Sequence, residues 1–186
     1  GLLVFLDTWL LQEFGGSIQQ AYYAIAFQYS SIILIATASI LKIFWKEIAD
    51  AYEKHDYVKI KKLYETSSTA LYLFASIVAG ALFLWSDDFI RIFLGQEYLA
   101  GATVMSLMFY YPIHQSLSQL NFSMFYALKK TKTLFLISVS TNSVGFLISY
   151  LLLAPSDGAS LGLNLGSTGL AIKMIVMQVL GVSIMY

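Results

Sequence analysis

Two charged side chains stand inside otherwise apolar stretches and could hold or neutralise a charge there. Asp7 is flanked by Phe5, Leu6, Trp9 and Leu10, and Lys173 lies between Ile172 and Met174. With Glu13 as the outer boundary of its span, Asp7 sits roughly 9 Å inside, at 1.5 Å of helix rise per residue. An unpaired charge near the centre of a bilayer costs about 3 kcal/mol on insertion scales. Lys173 therefore snorkels, faces a cavity, or pairs with an acid such as Asp7; snorkelling is the plainer of the three readings.

Uncharged polar residues add hydrogen-bonding capacity. The densest group is Pro112, His114, Gln115, Ser116, Ser118, Gln119 and Asn121. His114, Ser118 and Asn121 follow i, i+4, i+7 and share one helix face, and Pro112 should kink the helix that carries them. Gln28 and Tyr29, and Asn142 and Ser143, make the same demand for polar surroundings. A cavity lined by Tyr, Gln, Asn and Ser suits uncharged or hydroxyl-rich cargo; the plainer reading of each residue is a hydrogen bond between helices. The candidate substrate-contacting residues are Asp7, Gln28, Tyr29, His114, Gln115, Asn121, Asn142 and Lys173. No catalytic set, cofactor or metal site is expected. His55 and His114 lack metal-ligand spacing, no phosphate-binding glycine loop or nucleophile elbow occurs, and the chain has no Cys. An intramembrane transferase centred on His114 is the enzyme alternative.

The elements that must carry these residues are legible in where charge is missing. The chain is 58% hydrophobic and 12% charged, about half the charged share of a soluble domain. Phe14–Leu41, Thr66–Ser86, Tyr98–Leu128 and Thr133–Ser156 run for 28, 21, 31 and 24 residues without an Asp, Glu, Lys or Arg. About 20 apolar residues cross the hydrocarbon core as a helix. The expected fold is all-α, a polytopic transmembrane helix bundle of about six spans near 1–13, 21–42, 64–86, 98–128, 133–154 and 169–186. Both end spans read as truncated, so residues 1–186 are expected to be one bundle of a longer protein.

Nine of the eleven basic residues fall between the second and third spans (Lys42 to Lys62) or between the fourth and fifth (Lys129, Lys130 and Lys132). Two spans separate these segments, so both lie on one side, and the positive-inside rule makes segments 42–64 and 129–132 cytoplasmic. Net charge is zero and the lysine segments lack interleaved aromatics, so no nucleic acid partner is expected. Asp50 and Lys54 form an i, i+4 pair, Asp56 is a candidate N-cap, and the chain should turn at Lys54–Asp56. That segment reads as a solvated hairpin, or alternatively as a contact for lipid headgroups. On the outer side, Ser86-Asp87-Asp88 reads as the capped start of a short interfacial helix ended by Gly95, with Arg91 within it. Pro155-Ser156-Asp157-Gly158 is a turn signal, and Gly158, Gly162 and Gly166 read as a flexible loop more than a packing face.

Several segments in order resemble the oligosaccharide flippases of polysaccharide biosynthesis, in the multidrug/oligosaccharidyl-lipid/polysaccharide exporter superfamily. They are Asp7 followed by Gly15-Gly16 and Ala21-Tyr22-Tyr23-Ala24-Ile25-Ala26, then His55-Asp56 where the family usually has Gly-Asp. Gly95-Gln96-Glu97-Tyr98-Leu99-Ala100 is similar to the family's Gly-x-x-Tyr-x-x-Ala, with Ala two positions after Tyr. Ala127-Leu128-Lys129-Lys130-Thr131-Lys132 and Gly166-Ser167-Thr168-Gly169-Leu170-Ala171 complete the order. The resemblance implies half of a two-bundle transporter in the bacterial inner membrane, whose N-terminal bundle is the other partner. The implied activity is alternating-access flipping of undecaprenyl-diphosphate-linked oligosaccharides, with membrane lipids around it and Lys173, together with Lys42, available to the pyrophosphate. A cation-coupled antiporter of the same superfamily and a membrane polymerase or acyltransferase are the alternatives.

Overall fold

A computed structural model describes residues 2–156 and 162–185, and among these the chain is helical with no strand. Seven helices follow in order: α1 (Leu2–Glu53), α2 (Tyr57–Leu84), α3 (Ser86–Phe93), α4 (Ala102–Met108), α5 (Tyr111–Ala127), α6 (Thr131–Leu153) and α7 (Gly166–Met185). A 3-10 turn, Gln96–Gly101, joins α3 to α4. Four helical stretches are long and apolar enough to cross a membrane: Val4–Ala38 within α1, and α2, α6 and α7. Their apolar side chains point outward as well as inward. Ile35 is 72% exposed, Ile77 71% and Leu147 63%. A water-soluble fold does not usually leave its longest helices greasy on the outside, whereas helices that cross a membrane do.

Of the other three expected spans, two are joined in α1 and one is broken. Residues 1–13 and 21–42 are the two limbs of α1, which meet at Gly16 with φ 79° and ψ 174°, far from helical values. A straight helix would hold Asp7 and Tyr23 about 24 Å apart. Instead Tyr23 lies within electrostatic range of Asp7, and Leu10, Leu11, Tyr23 and Ala26 belong to one buried cluster. Gly16 therefore folds the limbs toward each other. The expected span at 98–128 is divided among the 3-10 turn, α4 and α5. Pro112, in the first turn of α5, has no N–H for the Met108 carbonyl. The chain tightens there into three-residue bonds, Tyr110 N–H to Leu107 O at 3.0 Å and Ile113 N–H to Tyr110 O at 3.2 Å. The position is the one expected, but Pro112 starts a new helix at a break and does not kink one helix near its middle.

The hairpin between α1 and α2 is as expected. Asp56 caps α2 by accepting from the Lys59 backbone N–H at 2.9 Å, and Lys54 pairs with Asp50 at 2.8 Å. The bond from Lys54 holds the Asp50 carboxyl below the usual carboxylate range, helped by Lys59 and Lys46. Lys59 also reaches back across the turn to Glu47 at 2.8 Å. Behind the tip, Phe44, Ile48, Ala51, Ile60, Leu71, Leu120 and Ala127 form a second core, separate from the larger one around Leu11, Met108, Phe109 and Leu170.

Two expectations about caps and loops change. α3 begins at Ser86 with no side-chain cap bond, because its N-cap residue is Trp85; its first turn does carry Asp87 and Asp88, favourable to the helix dipole. Its end is as read: Gly95 has φ 102°, and its N–H donates to Ile90 O at 3.0 Å. Asp157 and Gly158 lie outside the described residues. Gly162 is not in a loose loop. Residues 162–165 are tied to the end of α6, with the Leu163, Leu165 and Asn164 N–H groups donating to Leu151 O, Leu152 O and Ala154 O at 2.9–3.0 Å. A Cβ at Gly162 would stand 1.9 Å from Ala154 O, so only glycine lets the two backbones approach this closely. These bonds satisfy carbonyls that the end of a helix leaves open.

Candidate functional site: a polar cavity with a buried ion pair

The first limb of α1, with α6 and α7, brings together the two charges that stand in apolar stretches. Lys173 Nζ lies 2.5 Å from Asp7 Oδ2, and both side chains are more than nine-tenths buried. The second carboxylate oxygen is also engaged, since Ser149 Oγ donates to Asp7 Oδ1 at 2.6 Å. Gly145 on α6 faces the lysine stem, where a Cβ would meet Lys173 Cε in ordinary contact at 3.4 Å. Of the three readings of Lys173, pairing with Asp7 holds, and the pair also borders a cavity; snorkelling does not occur. Outside, α7 is fixed at its first turn by Gln19 of α1, whose Oε1 accepts from Ser167 N–H at 3.0 Å and from Ser167 Oγ at 2.5 Å.

The cavity measures about 310 Å³ and lies among α1, α5, α6 and α7. Asp7, Gln115, Asn142 and Lys173 line it, as the sequence grouped them, together with Ser118 and Thr141. This size falls near the small end of ligand pockets, about 300–1,000 Å³. Its chemistry is mixed: one buried cation partnered by an acid, several amides and hydroxyls, and apolar wall from Phe146 and Met174. Gln178 also lines it and was not singled out from the sequence. Its only signal there is that it stands one turn and a residue beyond Lys173 on α7.

Four of the expected site residues lie elsewhere. Gln28 is exposed, and Tyr29 packs edge-on against Phe89 of α3, with ring centroids 5.2 Å apart. The face shared by His114, Ser118 and Asn121 is split. Tyr111, Gln115, Ser118 and Phe122 turn to the cavity. Asn121 turns to α2, where its Oδ1 accepts from the Tyr64 hydroxyl at 2.7 Å. His114 is half-buried, and its Nδ1 has no partner among the described residues. An i, i+4, i+7 set covers only about 60° of the helix, but the boundary between the face of α5 toward the cavity and the face toward α2 runs through it, between Ser118 and Asn121. Among the described residues, no three His, Cys, Asp or Glu side chains come together as metal ligands.

In comparisons with protein families, curated proteins and solved structures, the chain matches none. What the cavity is for has to be argued from its own geometry.

Proposed function

We propose that the chain is part of a membrane transporter that moves a polar, sugar-bearing lipid-linked substrate from one leaflet to the other. The carrying observation is the polar cavity bordered by a buried Lys173–Asp7 pair, set in helices whose outer surface is apolar. Amides and hydroxyls at Gln115, Ser118, Thr141, Asn142 and Gln178 provide donors and acceptors for sugar hydroxyls, and Lys173 is a cation for a pyrophosphate link. With the order of segments that resembles oligosaccharide flippases, this favours undecaprenyl-diphosphate-linked oligosaccharides, carried by alternating access across the bacterial inner membrane. In this reading both limbs of α1 and the α4–α5 pair also cross, giving six spans, and a second bundle faces the cavity.

Asn142→Leu and Gln115→Leu leave the ion pair in place, so they test cargo binding without removing a buried charge. In proteoliposomes holding the full-length transporter, each should slow flipping of a fluorescent lipid-linked oligosaccharide about ten-fold, the loss expected for a hydrogen bond of about 1.4 kcal/mol. Wild-type flipping by both well-incorporated variants would sink the reading. A cation-coupled antiporter needs an acid open to a proton or sodium, and both Asp7 oxygens are already engaged. A transferase centred on His114 is disfavoured because that residue is not among those lining the cavity.

The proposed sidedness has a clean test because the chain has no Cys. A single cysteine at Lys54→Cys should react with a membrane-impermeant maleimide only after cells are opened, and one at Asp87→Cys should react in intact cells. The reverse pattern would invert the topology.

A further inference from the structure

A second cavity, of about 470 Å³, lies between the start of α2 and the end of α5, on a face of α5 distinct from the one that lines the polar cavity. It joins the two lysine-bearing turns at one end of the bundle. Asn121 is buried within it, 2% exposed, and its Oδ1 is held by the Tyr64 hydroxyl. That bond turns the amide so that Nδ2, with two N–H donors, has no partner among the described residues. Buried donors are normally satisfied, so an unpartnered amide lining a cavity points to a missing acceptor. Much of the remaining wall is apolar: Ile60, Met124 and Leu128 contribute to it.

Exposed Lys61 and Lys130 stand at the edge of the same cavity. Lys61 is shared with Glu65 at 3.7 Å, whereas Lys130 is in no ion pair among the described residues. Lys130 also directly precedes α6, whose first N–H groups add positive potential. Two bases against one acid leave the edge net positive. Exposed Tyr57 lines this edge, a side chain suited to the headgroup level of a bilayer.

We propose that this cavity binds the phosphate of a membrane phospholipid headgroup, with the Asn121 amide donating to a phosphate oxygen and Lys130 and Lys61 neutralising its charge. The apolar walls then take the first methylenes of an acyl chain, which a free phosphate would leave uncovered. This assignment does not depend on what the Asp7–Lys173 cavity carries.

The test reads the Asn121 side-chain amide by NMR in the chain labelled with ¹⁵N at asparagine and held in neutral detergent micelles. There are three Asn residues, and Asn142, in the other cavity, serves as the internal control. Phosphatidylglycerol should shift the Asn121 amide pair and leave that of Asn142 in place, and Lys130→Gln should weaken the titration about five-fold. Lys130 is exposed, so this variant keeps the fold. A shift with phosphatidylglycerol but not with inorganic phosphate or glycerol 3-phosphate supports the lipid source. An equal shift with the soluble phosphates keeps the phosphate chemistry but overturns the lipid source. No shift with any phosphate, an equal shift with phosphate-free diacylglycerol, or an unchanged titration in Lys130→Gln overturns the site.

Discussion

Asp7→Asn should destabilise the bundle by roughly 3–5 kcal/mol, the usual cost of stranding one member of a buried ion pair. Asparagine keeps the shape of the side chain and can still accept from Ser149. What it removes is the counter-charge of Lys173, which is more than nine-tenths buried and has no acid besides Asp7 within ion-pair distance among the described residues. Lys173→Met strands the carboxylate instead and should cost a similar amount, since Ser149 offers only one hydroxyl to a full negative charge. The neutral double variant, Asp7→Asn with Lys173→Met, buries no charge at all. Buried pairs often break even against apolar replacements of similar volume, so the double variant should recover most of the loss. Thermal unfolding of all four proteins in the same detergent reads the coupling as a double-mutant cycle. If the two single losses simply add, the pair is not an energetic unit. The double variant also separates roles: a folded protein without Lys173 that still flips substrate would place the lysine in the architecture and not in cargo binding.

How much of this pair was legible follows from what each signal depends on. That Asp7 and Lys173 needed an answer was readable, because charge in an apolar run is expensive wherever the helices go. Which answer they took was not. Pairing requires the first limb of α1 to lie beside α7, and that depends on the angle at Gly16. Signals local to a few residues carried over intact: Asp56 as a cap, Asp50 with Lys54, Gly95 after α3, Pro112 at a break. Signals that depend on how a helix is rotated among its neighbours did not. His114, Ser118 and Asn121 share an arc by spacing alone, but α5 sits among α1, α2 and α7, and the arc is divided among them. The backbone docking of residues 162–165 on α6 left no pattern in the sequence beyond a glycine.

Gly16→Ala should be the most damaging glycine replacement that introduces no clash. A Cβ at residue 16 meets nothing within 4 Å, so sterics outside the residue are silent. The cost is torsional: φ 79° with ψ 174° is a region held almost only by glycine, and an alanine there costs about 1–3 kcal/mol. Gly80 is the control, since it sits inside α2 with equally open space and no unusual φ. Gly80→Ala should be neutral or stabilising by up to about 1 kcal/mol through helix propensity. An equal loss in both variants would mean that the φ at Gly16 plays no part. The more telling readout joins this variant to the ion pair. If alanine relaxes residue 16 toward helical angles, the first limb of α1 swings away from α6 and α7, and Asp7 leaves Lys173. The Asp7–Lys173 coupling measured in a Gly16→Ala background should then fall well below its wild-type value. Undiminished coupling there would show that packing between the limbs, through Leu10, Leu11, Tyr23 and Ala26, fixes the pair without help from the turn.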